Sequence, residues 1–204
     1  LVDLEGGTKD NAITRKSRAV LVADAEDRQA VEMYAASCQA DFRKEYSGTD
    51  GAITISVSSQ GEQQVSALTM TSKEKAVFFL MHIPYGIEKM SGEIEGLVET
   101  SNNIGVLRIE DGMLCASCGI RSSVGSAKLY VSEKIQYLTE FLGGEYTVMG
   151  DYPAWEYKKD SVLRELMADT YRELFGKEAS VKAIHAGLEC GLFYDKIPGL
   201  DCVS

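Results

Sequence analysis

The chain has 204 residues, of which 45% are hydrophobic and 25% charged, and its formal net charge is −10. A chain of this length can bury one large core or two small ones, and this composition argues against disorder. The acidic balance argues against nucleic acid and against anionic membrane surfaces as partners. No apolar run approaches the roughly 20 residues that span a bilayer. Five cysteines, an odd number, do not suggest a disulfide framework and favour a reducing cytoplasm.

The first half of the chain predicts three strands and two helices. The strands are expected at 1–7, 12–24 and 52–58, and the helices at 24–46 and from 71 to the proline at 84. Asp24 is the predicted cap of the first helix, and the run Thr-Ser-Lys-Glu that starts at Thr71 matches a capping box.

The second half predicts a hairpin, a helix and then an alternation of strands and helices. Strands are expected at 96–109 and 113–122 across an Asp-Gly turn, followed by a helix at 123–142 and a short strand at 145–150. The order strand–strand–helix–strand thus occurs at 1–58 and again at 97–150, which suggests a duplicated unit.

Beyond a predicted domain boundary at 152–157, the alternation is typical of a mostly parallel sheet. A helix capped by Asp160, a strand at 179–184, a short helix and a strand around Cys202 are expected there. We therefore predict an α+β domain at 1–152 and an α/β segment at 153–204, with the second packed against the first or against a partner molecule.

One loop, two single residues and one cysteine pair are candidates for chemistry, and the residues alone leave each of them open. The stretch His185-Ala-Gly-Leu-Glu-Cys-Gly-Leu-Phe reads as a tight strand–helix junction, or as a nucleophile–base pair in which Cys190 lies beside His185 and Glu189. Arg121 could form a surface ion pair or bind a carboxylate through two hydrogen bonds. Asn11 could stabilise a turn or donate a hydrogen bond to a carbonyl. Cys115 and Cys118 on one strand would face opposite sides, which favours packed thiols over a metal knuckle.

The stretch that begins at His185 also resembles a signature of the Xaa-His dipeptidases (aminoacyl-histidine dipeptidases), zinc metallopeptidases related to the carnosinases. Further blocks are similar to segments of that family and follow the family order: Leu-Glu-Gly-Gly-Thr-Lys-Asp-Asn-Ala-Ile-Thr-Arg at 4–15, Val-Glu-Thr-Ser-Asn-Asn-Ile-Gly at 98–105, Ile-Arg-Ser at 120–122, Tyr-Pro-Ala-Trp at 152–155 and Pro-Gly-Leu-Asp-Cys at 198–202. Thr14 and Lys16 depart from the family pattern, which often has proline and glutamate there.

The resemblance implies a fragment of a zinc-dependent dipeptidase that hydrolyses Xaa-His dipeptides in the cytoplasm. Residues 1–152 would form its lid domain, an antiparallel sheet covered by helices, and 153–204 part of its catalytic domain. The lid asparagine and arginine that contact substrate in the family correspond to Asn11 and Arg121, and Glu189 and His185 would support the site.

The resemblance assigns no catalytic or metal-binding residue to this chain. Two zinc ions are therefore expected to bind to parts of the parent enzyme that are not matched here, and the fragment alone is expected to be inactive. The expected partners are a small peptide substrate, the remainder of the catalytic domain and a possible second copy. The alternative is a non-catalytic dimerisation or ligand-binding module from a relative of this family.

Overall fold

One antiparallel sheet of five strands organises the computed structural model, which describes all residues from 1 to 204. The strands are β1 (Asp3–Gly6), β2 (Ser17–Val20), β3 (Gly86–Met90), β4 (Val98–Glu110) and β5 (Met113–Ser122). The long strand β4 is central. β5 pairs along one side of it, β3 and β1 pair with opposite halves of the other side, and β2 extends the sheet from β1. The predicted α+β class with an antiparallel sheet is confirmed.

Five helices accompany the sheet: α1 (Arg28–Glu45), α2 (Met70–His82), α3 (Gly125–Phe141), α4 (Val162–Phe175) and α5 (Glu189–Lys196). Three predicted starts are wrong by one or more residues. Thr69 caps α2, because its side chain accepts an amide hydrogen bond of 3.2 Å. Ser161, and not Asp160, caps α4. Asp24 makes no side-chain cap, because a turn of 3-10 helix separates it from α1. None of the five helices has both the length and the apolar character that a membrane crossing requires.

The predicted hairpin between β4 and β5 is present. Its turn residues Asp111 and Gly112 both have positive φ, 50° and 76°, which is the conformation that a two-residue hairpin turn demands. Ten residue pairs join the two strands, and a β-bulge between Ile104 and Val106 shifts their register by one residue.

The hydrophobic core lies between one face of the β4–β5 hairpin and the helices α2 and α3. Ile83, Val131 and Ile135 form its buried cluster. The strand residues packed against them are Ile104, Cys118 and Ile120. Because side chains alternate along a strand, the residues between these face the other way. We call that side the open face and define it by Ser101, Asn103, Gly119 and Arg121.

Four predicted strands are not strands in the structure: 52–58, 145–150, 179–184 and the segment around Cys202. The first lies along α1, where Arg43 Nε donates to the Ile53 carbonyl at 2.6 Å and Gln39 Oε1 accepts from the Ile55 amide at 2.7 Å. Helix side chains thus take the hydrogen bonds that a neighbouring strand would have made. The other three segments have no strand beside them within the chain, and a strand requires such a partner.

The predicted duplication is not supported, because each copy lacks its fourth strand. Moreover, β1 and β4 belong to the same sheet and pair with each other through Glu5 and Gly6, opposite Arg108 and Leu107. The two strand–strand–helix sequences therefore build one sheet together and do not form two similar units.

Candidate functional site

Two neighbouring cross-strand pairs on the open face carry the polar residues of the candidate site. Ser101 pairs with Arg121, and Asn103 pairs with Gly119. Pairs two residues apart along a strand share a face and lie about 7 Å from each other. Each of these two pairs supports a different loop of the chain.

The loop that contains Asn11 lies on the pair Asn103–Gly119. The Asn103 amide donates to the carbonyl oxygens of Asp10 at 3.4 Å and Ala12 at 2.9 Å, on either side of Asn11. A Cβ added at Gly119 would lie 3.1 Å from the Asp10 carbonyl, so the loop backbone touches the sheet here. Asn11 itself is exposed at the tip of this loop.

Two further contacts press the Asn11 loop onto β4. A Cβ added at Gly105 would lie 2.4 Å from the carbonyl oxygens of Lys9 and Asp10, so only glycine permits this approach. Thr14, which stands where the resembled family often has proline, donates its hydroxyl hydrogen to the Ile104 carbonyl at 2.9 Å. This departure from the family pattern therefore adds a link to the sheet that proline could not make.

The His185 loop lies on the pair Ser101–Arg121. The Ser101 hydroxyl and His185 Nε2 are 2.7 Å apart, and Arg121 Nη1 donates to the His185 carbonyl at 3.4 Å. The His185 loop of the C-terminal region thus contacts the sheet, and both loops reach the same face.

Gly187 in the His185 loop and Gly191 in the first turn of α5 pack closely against the segment around Tyr152. A Cβ added at Gly187 would lie 3.0 Å from the Tyr152 ring, and one at Gly191 would lie 3.3 Å from the Pro153 carbonyl. The Tyr152 hydroxyl donates to the Leu188 carbonyl. The Tyr-Pro-Ala-Trp block and the His185 block, recognised separately in the sequence, therefore form one packed unit.

The environment of His185 favours the neutral imidazole. Burial, and then the positive charge of Arg121, lower the pKa of His185 below its ordinary value of 6.5, against a smaller opposing effect from the Val98 backbone. A neutral ring can accept the Ser101 hydroxyl hydrogen at Nε2. The guanidinium of Arg121 forms no ion pair within this chain, so its charge is available to a ligand.

The other predicted participants lie further from this face. Glu189 begins α5 and makes none of the hydrogen bonds that hold the His185 loop. Burial, and then the negative charge of Glu189, raise the pKa of Tyr152. The supporting role of Glu189 stays a prediction. The Cys190 thiol donates to the Val203 carbonyl at 3.6 Å, and burial raises the pKa of the neighbouring Cys202 thiol. The Cys190 thiol thus packs against the C-terminal segment.

No three histidine, cysteine, aspartate or glutamate side chains of this chain form a group that could hold a metal ion. The residues present therefore do not fit a zinc pair, and we derive no catalytic step through one. Cys115 and Cys118 lie three positions apart on β5, and Cys118 packs against the core.

Sequence reasoning missed the residues that connect the site. Ser101 and Asn103 belong to the Glu-Thr-Ser-Asn-Asn block that resembles the family, and alternation along the predicted strand puts both on one face. The pairing of Ser101 with Arg121 depends on a β-bulge between Ile104 and Val106, without which the Asp-Gly turn would place Ser101 opposite Ser122. Tyr152 lies at the predicted domain boundary and begins the Tyr-Pro-Ala-Trp block. No pattern along the chain indicated its contact with Leu188, 36 positions away.

Comparison with known proteins identifies the relatives of this chain. No protein-family model matches it. It is 32% identical to the cytosol non-specific dipeptidase of Escherichia coli (strain K12) over 204 residues, which are 100% of this chain and 42% of that protein. The crystal structure of aminoacylhistidine dipeptidase from Vibrio alginolyticus is similar with a TM-score of 0.90 and 30% identity, over 98% of this chain and 41% of that one. The chain therefore spans about two fifths of the length of these relatives. The chain is a homologue of the matched two fifths of these dipeptidases and has the same fold as that region. This confirms the resemblance that the motifs predicted.

Proposed function

We propose that this chain is the substrate-binding part of a dipeptidase and that Asn11 and Arg121 contact the peptide on the open face. The observation that carries the proposal is the position of the two loops. The Asn11 loop and the His185 loop rest on adjacent cross-strand pairs, and Arg121 belongs to one of those pairs. A small ligand placed there would be within reach of both side chains.

The chemistry of a dipeptide matches these two groups. A dipeptide presents a free carboxylate and a scissile carbonyl that becomes an oxyanion during hydrolysis. The planar guanidinium of Arg121 suits a carboxylate, and it has no carboxylate partner inside the chain. The amide of Asn11 can donate to a carbonyl or to a developing oxyanion. Glu189 and His185 would support the loop that closes this site.

The hydrolytic chemistry would come from the rest of the complete enzyme. We propose two zinc ions as its metal, Xaa-His dipeptides as its substrate class and the cytoplasm as its compartment. The metal-binding and catalytic residues would lie outside this chain, with residues 1–152 as the lid and 153–204 as part of the catalytic domain. The remainder of the catalytic domain is then the first partner of this segment.

The kinetics of full-length variants test the role of Arg121. Arg121→Ala should lower kcat/KM for a dipeptide by about 10- to 150-fold, the scale of a lost charged hydrogen bond. Arg121→Lys should recover part of this loss, because lysine keeps the charge but not the fork. Arg108→Ala is the matched control, since Arg108 also lies on the sheet but about 20 Å further along the hairpin. Equal kcat/KM in the Arg121→Ala variant and the unchanged enzyme would contradict the proposal.

A second candidate is a dimerisation or ligand-binding module without catalysis. The apolar groove between α2 and α3 favours it, since Phe78, Tyr137 and Phe141 are exposed there. Light scattering on the full-length protein, with and without Phe141→Ser, measures whether this groove joins two copies. A dimer that dissociates in the variant, together with unchanged kinetics in Arg121→Ala, would favour the second candidate over the first.

A further inference from the structure

We infer that Ser101 is a positioning residue for Arg121, acting through His185. The inference rests on the proposed function, because it assigns to Ser101 the task of holding the arginine that binds the peptide. Ser101 is directly opposite Arg121 in the β4–β5 pairing, and the backbones of opposite residues hold their Cβ atoms about 5 Å apart. The two side chains therefore leave the open face side by side.

His185 contacts both side chains, one through its imidazole ring and the other through its backbone carbonyl. Its ring nitrogen Nε2 lies 2.7 Å from Ser101 Oγ, and its backbone carbonyl accepts from Arg121 Nη1 at 3.4 Å. The ring is half-buried, whereas Arg121 is exposed. The hydrogen bond from Ser101 is thus the shorter and more enclosed of the two, and it fixes where the His185 carbonyl stands.

The contact with His185 leaves most of the guanidinium free for a ligand. Arginine has five N–H donors, and the His185 carbonyl takes one of them. The remaining donors include the two N–H groups of Nη2, and these can bind a carboxylate. Without Ser101, the His185 ring loses its side-chain hydrogen bond to β4, and the substrate itself then has to order the arginine. That ordering cost weakens binding.

The expected kinetic signature is a change in KM rather than in kcat. A group that grips the substrate away from the scissile bond binds the ground state and the transition state equally, so its loss raises KM and leaves kcat nearly unchanged. Ser101→Ala in the full-length enzyme should raise KM about 2- to 12-fold, the range that corresponds to one neutral hydrogen bond.

Conservative variants separate positioning from general damage. Ser101→Thr keeps the hydroxyl in a residue that suits a strand, so its KM should stay near that of the unchanged enzyme. Ser101→Cys offers only a weak thiol donor, and its KM should lie between those of the threonine and alanine variants. It also provides a second measurement if Ser101→Ala fails to fold.

A double-mutant cycle with Arg121→Ala provides the decisive test. If Ser101 acts through Arg121, adding Ser101→Ala to Arg121→Ala should raise KM no further. An equal rise of KM in both backgrounds would overturn the inference, and so would an unchanged KM in Ser101→Ala when Arg121→Ala is impaired. Unchanged kinetics in Arg121→Ala would instead contradict the proposed function itself, together with the inference that depends on it.

Discussion

The residues next to Arg121 and Asn11 in the sequence do not indicate what either side chain does. Arg121 ends a strand beside small residues, which is consistent with a surface ion pair, and Asn11 lies in a polar turn, which is consistent with a turn-stabilising side chain. The structure adds what the residues alone lacked, since Arg121 forms no ion pair and bonds instead to the His185 carbonyl at 3.4 Å. The Asn11 loop is held from both sides by Asn103.

Gly105 allows the close approach of the Asn11 loop to β4. Gly105→Ala would place a methyl group 2.4 Å from two carbonyl oxygens, and the resulting shift should cost about 1–3 kcal/mol of stability, as overpacking does. It should also lower kcat/KM, because Asn11 moves with the loop. Urea denaturation and dipeptide kinetics measure the two effects.

Gly92→Ala is the control for this substitution, since a Cβ at Gly92 meets no atom within 4 Å and its φ is not positive. A Gly105→Ala enzyme as stable as the Gly92→Ala enzyme would show that the loop does not need this close approach.

The lowered pKa of His185 makes stability depend on pH in a defined direction. Because the folded-state pKa lies below the ordinary 6.5, the unfolded chain binds a proton between these two values that the folded chain does not. Stability is therefore complete above about pH 6.5 and falls as the pH drops through this window. The urea midpoint at pH 7.5 and 5.5 should differ less in His185→Gln than in the unchanged protein. An identical pH dependence in both proteins would show that His185 is not the group responsible.

At the scale of elements, helix α4 is joined to the C-terminal tail at its first turn. Ser161 is 2% exposed, accepts from the Arg164 amide at 3.1 Å and donates to Asp201 Oδ1 at 2.8 Å. Asp201 Oδ2 accepts from the Leu163 amide at 3.1 Å. Two residues distant in sequence thus share the capping of one helix, and the negative charge lies at its N-terminus, where the helix dipole favours it.

Ser161→Ala should therefore destabilise the protein by about 0.5–2 kcal/mol, the range measured for loss of an N-cap. Thermal or urea unfolding gives the value. Ser126→Ala, at an exposed position in the first turn of α3, is the control and should change stability little. Equal stability of the two variants would show that the Ser161 cap is not needed.

Elements whose ends are set by a turn or a proline could be predicted from the sequence. Elements that depend on hydrogen bonds to residues far away in the sequence could not. The Asp-Gly turn at 111–112 and the proline at 84 define their hairpin and helix end by backbone geometry alone, and both occur as expected. The alternating segment at 52–58 has the pattern of a strand, but α1 takes its hydrogen bonds through Arg43 and Gln39. For the candidate site, the sequence indicated Arg121 and His185, and it could not indicate that Ser101 joins them across 84 positions.

At the scale of the whole molecule, the chain exposes much more surface than a folded monomer of its mass. Its accessible surface is 15254 Å², whereas a monomer of this mass typically exposes about 9,400 Å². Only 12 of 204 residues are buried. Large apolar side chains of α4, among them Leu166, Leu174 and Phe175, are among those exposed. Surface of this kind is suited to contact with further protein, which supports the proposal that the segment works inside a larger enzyme.

The most direct test of the account is a crystal structure of the full-length enzyme with a bound, non-hydrolysable dipeptide analogue. We expect the carboxylate of the analogue within hydrogen-bond distance, about 3 Å, of the Arg121 guanidinium, with the Asn11 amide donating to the same ligand. Ser101 should remain bonded to His185 beside it. An analogue bound elsewhere, with Asn11 and Arg121 both facing solvent, would contradict the central claim that the open face is where the peptide is held.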